Sequence, residues 1–547
     1  MRVSFSTLGC KVNHYETEAM RELFLSAGYE VVPFGEPCDV TVINTCTVTA
    51  TSDAKSRRLI SRAHRANPDA LIAVTGCYAE VSPEAAKACE GVSLVLGTDG
   101  RRGIVERVEE RMRLPHDAEA TVLTDMTHRR AAWKFEELSA VRDGRTRATL
   151  KIQDGCVNFC SYCIIPFARG PLRSRPMESI ETELKRIASE GFCEVVLTGI
   201  HLNSYGRDLG TGETLLDVLE LTKRIDGIER VRLGSLEPKA MDEAFASALA
   251  ENPKLCRQFH LSLQSGSDTV LRRMNRRYST DEYRAAVRNL RDAMPDCAIT
   301  TDVIAGFQGE TEAEHEETKA FLREIGFARI HVFPFSLRPG TKAEMMPDPV
   351  PEDIKNARAR ELISVGKTLT GAFLSRQVGT VQTVLIESDG TGYTGNYVRV
   401  RCEGNEGDLV NVRIAAIEDE IAIGEKIGKE MERMEDCLFC KIAAGVIPSK
   451  KAYEDDSVLA FYDIDPQAPV HVLIIPKRHI SSALEIEADD AELLCHMFGV
   501  ARKVAEELGI AKTGCRIVTN VGRDGQQSVP HLHLHLLGGR SMQWPPG

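Results

Sequence analysis

Closely spaced cysteines are the residues of this sequence with the clearest chemical potential. Cys156, Cys160 and Cys163 are separated by three and two residues in QDGCVNFCSYC. Thiolates on so short a loop can hold an iron–sulfur cluster, and three ligands on a four-iron cluster leave one iron open to a small molecule. Zinc prefers four ligands, often as two pairs, and the third thiol has no obvious partner nearby. The spacing therefore predicts an iron–sulfur site.

Three further cysteines each follow a strand-like run directly. Cys10 ends TLGC, Cys46 ends NTC and Cys77 ends TGC, and each strand-like run is followed by a helical pattern. Strands that alternate with helices form a parallel sheet, in which the carboxyl ends of the strands meet at one edge. One such cysteine is usually a small buried hydrophobe. Three in the same topological place favour a three-thiolate metal site, whereas Cys38 and Cys89 lie outside this pattern and are interpreted as structural.

The last part of the chain holds a different set of ligand-forming residues. In PHLHLHLLGG three histidines alternate with leucines, so a strand would place their imidazoles on one face: His531, His533 and His535. Cys437 and Cys440, in EMERMEDCLFCKI, and His479, in PKRHI, complete a Cys2His2 zinc set with His531. His533 then remains free as a nucleophile or base. The glycine-rich NVGRDGQQS just upstream offers backbone N–H groups to a phosphate.

Length and charge limit the classes of protein to consider. The chain has 547 residues and a net charge of −12, which excludes a generally basic nucleic-acid coat. Three basic segments nevertheless predict a local phosphate-binding patch: RDGRTRATLK (142–151), ARGPLRSR (168–175) and RRMNRR (272–277). No secretory signal or membrane span is found, so we expect a cytoplasmic protein whose clustered cysteines bind metals rather than form disulfides.

The strand and helix patterns predict an α/β multidomain protein. Alternating patterns indicate a doubly wound sheet first and then six βα units, a partial version of the eight-stranded barrel whose active groups lie at the strand carboxyl ends. A helical segment, short strands typical of a small β-barrel and an α+β region follow. The predicted boundaries are 1–125, 140–345, 346–377, 378–430 and 435–547.

The CxxxCxxC loop resembles that of radical S-adenosylmethionine enzymes. The resemblance implies that the open iron of a 4Fe–4S cluster on Cys156, Cys160 and Cys163 binds S-adenosylmethionine, whose reductive cleavage gives a 5′-deoxyadenosyl radical. It also places Tyr162 against the cofactor adenine. LTGIHLN and SLQSGS would supply further cofactor contacts, which we assign to Gly199, His201, Gln264 and Ser265.

The region 1–430 as a whole resembles the methylthiotransferases. That resemblance implies a second 4Fe–4S cluster on Cys10, Cys46 and Cys77, an RNA-binding TRAM barrel, and an external electron donor and sulfur source. GCKVNHYETEAM and QDGCVNFCSYCIIPFARG are most similar to the branch that modifies N6-threonylcarbamoyladenosine in tRNA. Sister branches act on isopentenyladenosine in tRNA or on a ribosomal protein, and they remain alternatives. His14 and Gln308 depart from the usual pattern without touching a proposed ligand.

The last ~110 residues resemble the histidine triad family, in its Hint branch of nucleoside phosphoramidases. By that resemblance His533 attacks the α-phosphate of an AMP-linked substrate, and Ser528 hydrogen-bonds the leaving nitrogen. The resemblance also places Asp463 on the ribose, Asn520 at the phosphate, and Phe439 and Ile442 around the adenine. A homodimer through this domain is compatible with it, and the alternative is a domain that only binds nucleotides or dimerises. Pro530, directly before the triad, is a departure.

Overall fold

The structure is a computed structural model that describes residues 1–115, 118–124, 134–140, 146–427 and 437–543. It divides into two compact units, Met1–Glu425 and Lys426–Gly547. The interval 430–435 between the last two predicted domains lies outside the described residues, as do residues 142–145 of the first basic segment. Among the residues described, no helix is both long and apolar enough to cross a membrane.

The first domain is a six-stranded, all-parallel sheet with helices on both faces. The strands lie in the order Glu30–Val32, Arg2–Thr7, Val40–Thr45, Leu71–Gly76, Val92–Leu96 and Thr121–Leu123. One face packs against helices Lys11–Ser26 and Ile104–Met112. The other packs against Ala50–Ala66, Cys77–Val81 and Pro83–Lys87. The strands are buried on both faces, which explains their continuous apolar runs and agrees with the predicted doubly wound sheet.

The second domain is an arc of parallel strands surrounded by helices. Its strands are Arg147–Lys151, Glu194–Thr198, Arg230–Leu233, Ser235–Leu236, Gln258–Leu261, Ala298–Ala305 and Arg329–Pro334. The break at Gly234 divides one long strand between two sheets, so six βα units remain. The outer helices are Met177–Ser189, Leu215–Lys223, Glu243–Ala250, Asp268–Arg273, Thr280–Ala293 and Glu312–Ile325.

Alternation along the strands separates a core face from a concave face. Leu150, Val195 and Leu197 belong to the large apolar core under the outer helices. Neighbouring strand positions such as Thr149 and Val196 therefore face the concave side of the arc. An incomplete barrel leaves this concave side accessible to a large substrate.

A helix and a small closed barrel follow the arc. The helix spans Glu352–Ser375, and the barrel strands are Val381–Ile386, Thr391–Thr394, Arg399–Arg401, Leu409–Glu418 and Ile421–Lys426. Val384, Val400, Val412 and Ile414 fill the barrel interior. Closing the sheet leaves no long unpaired edge.

The second unit is a five-stranded antiparallel sheet backed by one long helix. The strands lie in the order Lys451–Glu454, Val458–Tyr462, Val470–Pro476, Leu534–Gly538 and Arg516–Val518, with helices Leu438–Ala443 and Ala491–Glu507. The last long strand begins at Leu534, so His531 and His533 precede it rather than lie within it as predicted. The alternation still holds, because Leu532, Leu534 and Leu536 pack into the core under the long helix.

A buried ion-pair network joins the first two domains. Glu16, on helix Lys11–Ser26, accepts hydrogen bonds from Arg169 (2.8 and 3.0 Å) and Lys151 (2.8 Å), and lies 3.1 Å from Arg101. Asp154 contacts Lys151 at 2.7 Å, and Arg169 and Arg173 at 3.2 Å. No side chain in this set is more than 3% exposed. Removing one partner would leave an uncompensated buried charge.

We predict that Glu16→Gln lowers the free energy of unfolding by about 3–5 kcal/mol, because three cations lose their common anion. Burial alone would raise the pKa of Glu16, but Arg101, Arg169 and Lys151 lower it to about 2. Its stabilisation is therefore complete above the unfolded carboxyl pKa of about 4.3 and is lost as the pH falls toward 2.

Urea denaturation of the full chain at pH 7 and pH 3 would measure this effect. Glu181→Gln, which removes an exposed partner of Lys185, is the matched control and should change stability by less than about 0.5 kcal/mol. Equal effects of the two substitutions would contradict a central role for Glu16.

Candidate functional site

The three-cysteine loop lies directly after the first strand of the arc. Gly155 opens it with φ +73°, and a Cβ there would meet the carbonyl oxygen of Pro171 at 1.8 Å, so only glycine fits. The Cys156 N–H donates to Gly170 O (3.1 Å) and the Cys163 N–H donates to Cys160 O (2.9 Å). These backbone hydrogen bonds fold the loop and keep its three cysteines close together beyond the carboxyl end of the first strand.

A cavity of about 430 Å³ opens beside this loop. Arg276 Nη1 lies 3.5 Å from Cys160 Sγ and 3.1 Å from Glu237, which in turn lies 3.6 Å from His201 Nε2. Asn203 also lines the cavity, and its buried Nδ2 has no acceptor among the described residues. A cofactor with a carboxylate and an amino group fits such a lining, because both acidic and basic groups converge there.

Of the residues predicted to contact the cofactor, His201 lines this cavity, whereas Tyr162, Gly199 and Gln264 are not among its lining residues. Gly199 has no room for a Cβ, which would lie 3.0 Å from Gln153, and His201 lines the cavity. Gln264 holds a positive φ of 71° at the end of its strand. Tyr162 packs edge-on against Phe307, with ring centroids 6.3 Å apart.

Ser265 does not lie on the concave side. It is 1% exposed, and its hydroxyl lies 3.3 Å from that of Thr318, on the outer helix Glu312–Ile325. The Ser265 hydroxyl thus contacts an outer helix, and its predicted cofactor contact stays a prediction. The preceding residue, Gln264, has a positive φ of 71°, and both residues lie beyond the end of strand Gln258–Leu261.

Cys10, Cys46 and Cys77 gather at the carboxyl edge of the first sheet. A Cβ on Gly9 would lie 3.1 Å from that of Cys46, and Cys77 begins helix Cys77–Val81. Asn13 clamps the two preceding strand ends, because its amide donates to Leu8 O (2.8 Å) and Thr45 O (3.0 Å). The predicted convergence of the three strand ends is thus present in the fold.

Electrostatics around these thiols favour an anionic occupant. Burial raises the pKa of Cys77 to about 12, while the charge of Arg169 acts in the opposite direction. Arg169 donates to Asn13 Oδ1 (2.7 Å), yet its buried Nε finds no acceptor within the described residues. Three thiolates on an iron–sulfur cluster would supply the missing negative charge, so the residues fit such a group.

The predicted phosphate patch is largely wrong. Arg169, Arg173, Arg175 and Lys151 are buried, and Arg147 pairs with Glu387 at 2.6 Å. In the third segment, Arg273 pairs with Glu314 at 2.7 Å and Arg276 lines the cavity. These basic runs look like surface patches in sequence because the acidic partners that neutralise them lie far away in the chain.

In the second unit, Cys437, Cys440, His479 and His531 converge. Their ligand atoms all lie within 4.8 Å of one another. His531 Nε2 donates to Pro476 O (2.9 Å), which leaves the Nδ1 lone pair toward Cys437 Sγ (3.3 Å) and Cys440 Sγ (3.4 Å). His479 Nδ1 lies 3.2 Å from Cys440 Sγ. The donor set and the fixed His531 tautomer suit a tetrahedral metal ion.

His533 is oriented as a nucleophile. Its Nδ1–H donates to His531 O at 2.6 Å, so the lone pair is on Nε2. Burial lowers its pKa, which keeps the imidazole neutral at pH 7. The ring lies 5.3 Å from that of Phe439 and 4.9 Å from that of His535.

His535 forms a hydrogen bond with the side chain of His471. His471 Nδ1 accepts the Gln467 N–H (3.2 Å), so its Nε2–H donates to His535 Nδ1 (2.8 Å). Asp463 lies 3.5 Å from His471 Nε2. This tautomer chain disfavours a metal at Asp463, His471 and His535, because His471 Nε2 carries the proton.

The remaining predicted nucleotide contacts vary in burial. Ser528 is exposed and Asn520 is half-buried, whereas Phe439 and Ile442 are buried with Phe461 in one apolar cluster. Ser528 and Asn520 are thus accessible to a ligand. The ring of Phe439 connects the apolar cluster with His533, since their ring centroids are 5.3 Å apart.

Sequence reasoning missed the residues that hold these sites in place. Asn13, Glu237 and His471 are chemically ordinary in sequence, and each acts through a partner more than 30 residues away. Only the two helical residues Asn13 and Glu16, three apart beside Cys10, offered a weak signal of a shared polar face.

Three family models match the chain. They are UPF0004, described as an uncharacterized protein family, over residues 2–97, the Radical SAM superfamily over 150–322 and the HIT domain over 444–542. The HIT match includes His479, His531 and His533, whereas Cys437 and Cys440 lie just before its start.

Relatives extend this result across most of the chain. The chain is 42% identical to threonylcarbamoyladenosine tRNA methylthiotransferase MtaB of Bacillus subtilis (strain 168) over 426 residues, 75% of this chain and 93% of the relative. It is 34% identical to tRNA-2-methylthio-N(6)-dimethylallyladenosine synthase of Pelotomaculum thermopropionicum, over 73% and 89% of the two chains.

A solved HIT family hydrolase from Legionella pneumophila is 54% identical over 20% of this chain and 100% of its own, with a TM-score of 0.20. The UPF0004 match contains Cys10, Cys46 and Cys77, and the Radical SAM match contains Cys156, Cys160 and Cys163 and most of the arc. The chain therefore belongs to the radical S-adenosylmethionine methylthiotransferases and carries a histidine triad domain after its methylthiotransferase region.

Proposed function

We propose that the first unit converts N6-threonylcarbamoyladenosine in tRNA to its 2-methylthio derivative. Two thiol triads in one unit, joined by the buried network around Glu16, carry this proposal. Cys156, Cys160 and Cys163 hold one 4Fe–4S cluster, and Cys10, Cys46 and Cys77 hold a second. When bound, the clusters and S-adenosylmethionine supply the radical, sulfur and methyl-transfer chemistry.

The chain's own residues position that chemistry. Glu237 orients Arg276 and His201 around the cavity, and Arg276 places positive charge beside Cys160. Gly199 permits close approach of the cofactor to the strand end, since a side chain there would strike Gln153. Asp154 accepts the Gly155 N–H at 2.8 Å and so fixes the start of the cysteine loop.

Exposed cations at the mouth of the cavity support an RNA substrate. Arg207, Lys239 and Arg277 line it from three different loops and make no side-chain ion pair or hydrogen bond with the described residues. Phosphates of a tRNA loop would complement them. An external electron donor and an external sulfur source are part of the proposal.

Nucleoside mass spectrometry of tRNA tests this proposal. A strain that lacks the gene should lose 2-methylthio-N6-threonylcarbamoyladenosine and accumulate its unmethylthiolated precursor. Complementation with the wild-type chain should restore the product, while Cys160→Ala should not, because one cluster ligand is gone.

Cys38→Ala is the control, since Cys38 lies outside both triads; it should complement fully. An unchanged level of the product in the deletion strain would refute the proposal. Loss of the isopentenyl derivative instead would assign the chain to the sister branch.

We propose further that the second unit hydrolyses nucleoside phosphoramidates or adenylates, with a zinc ion on Cys437, Cys440, His479 and His531. The zinc is structural, because all four tetrahedral positions are filled by protein ligands. It fixes His531, whose carbonyl holds the His533 ring.

The reaction follows from the tautomer of His533. Nε2 attacks phosphorus as the P–N bond breaks, and the leaving amine takes a proton from water. Water then hydrolyses the histidine–AMP bond. Asp463, Asn520 and Ser528 contact the ribose, the phosphate and the leaving nitrogen, and Phe439 and Ile442 border the adenine. A homodimer through this domain is part of the proposal.

Turnover of an adenosine phosphoramidate tests the second activity. We predict that His533→Ala lowers kcat by at least about a thousandfold, since no other group provides the nucleophile. His496→Ala is the matched control, because that exposed histidine pairs with Asp455 away from the triad; it should keep full activity. Undiminished turnover by His533→Ala would refute the assignment, and no turnover by the wild type would favour a binding or dimerising domain.

A further inference from the structure

A second cavity, of about 390 Å³, lies on the concave side of the arc. Thr149 and Val196 of the first two strands contribute to its wall, and helix Lys11–Ser26 contributes Lys11. The small barrel supplies Tyr397 and three acidic residues: Glu387, Asp389 and Glu406. Its size suits a modified base with its substituent.

Two ion pairs neutralise most of the charges in this cavity, whereas Lys11 and Glu406 form no ion pair among the described residues. Arg147 is held by Glu387 at 2.6 Å, and its guanidinium lies over the ring of Tyr397, 5.7 Å from the ring centre. Asp389 pairs with Arg399 at 2.6 Å.

Glu406 is exposed, and it lies beyond ion-pair distance of Lys11. Within the part of the chain that the structure describes, the Lys11 ammonium has no hydrogen bond or ion pair. A cation that faces a cavity without a partner is suited to an anionic ligand.

Lys11 is also fixed relative to the chemistry. It follows Cys10 directly and begins the helix that Glu16 anchors in the buried network. A substituent held by Lys11 would therefore lie next to the first thiol triad, because Lys11 follows Cys10 in the chain.

We propose that Lys11 binds the carboxylate of the threonylcarbamoyl group and so selects this substrate over dimethylallyladenosine. The inference rests on the proposed tRNA function. The two substituents differ in charge, because the threonine moiety carries a carboxylate at pH 7 whereas the dimethylallyl group is a neutral hydrocarbon. A lysine places one positive charge where only the first substituent has a counterpart.

Binding of synthetic anticodon stem-loops to the full chain tests this inference. The probes carry threonylcarbamoyladenosine, dimethylallyladenosine or unmodified adenosine at the same position, and each Kd is measured by fluorescence anisotropy. The wild type should prefer the threonylcarbamoyl probe over the other two by about tenfold or more. Lys11→Gln should abolish that preference, and Lys11→Arg should keep most of it.

Lys367→Gln is the matched control, because it removes one exposed lysine of helix Glu352–Ser375; the preference should stay unchanged. Equal iron content in all variants shows that the cluster beside Lys11 still assembles. An undiminished preference in Lys11→Gln, or no preference in the wild type, would overturn the inference. The tRNA function has its own test, because the product of the wild-type chain in cells is measured independently of these affinities.

Discussion

The buried contact between Glu16, Asp154 and their four cations is the constraint on which the first unit depends. It joins a helix that starts at the first thiol triad to a strand that ends at the second, through Lys151 and Arg169. Charges this deeply buried tolerate little displacement, since each would lose its counter-ion in a medium of low dielectric. The network therefore holds two cysteine loops from separate domains at a fixed separation, which the proposed reaction requires because it uses both.

The same network has more positive than negative charge. Arg101, Lys151, Arg169 and Arg173 outnumber Glu16 and Asp154, and the nearby Glu136 has its pKa raised by burial. Thiols in both triads likewise have raised pKa values because they are buried, as at Cys77 and Cys163. Metal binding releases those protons and creates thiolates. A cluster on the first triad would place a further anion beside Arg169, whose Nε has no acceptor among the described residues, so cluster assembly and the docking of the domains would support each other.

Features that depend on local pattern were predictable from the sequence, whereas features that depend on distant contacts were not. Strand–helix alternation placed Cys10, Cys46 and Cys77 at one sheet edge, and period two placed the triad histidines opposite the leucines. The basic runs around Arg169 and Arg276 misled, because Glu16 and Glu237, which neutralise them, are far away in the chain. The strand pattern did not predict that the Ser265 hydroxyl contacts an outer helix, because the left-handed residue Gln264 interrupts the alternation before it. The tautomer of His531 was not predictable either. It is set by the carbonyl of Pro476, which accepts the Nε2 proton and which no sequence pattern identifies as a partner.

Metal content tests the central claim, that this chain holds two iron–sulfur sites and a separate zinc site. Anaerobically reconstituted wild-type protein should contain about eight iron atoms and about one zinc per chain. Replacing Cys10, Cys46 and Cys77 together by alanine should lower the iron to about four and leave the zinc unchanged. A wild-type chain with about four iron atoms, or a triple variant that keeps about eight, would contradict the account.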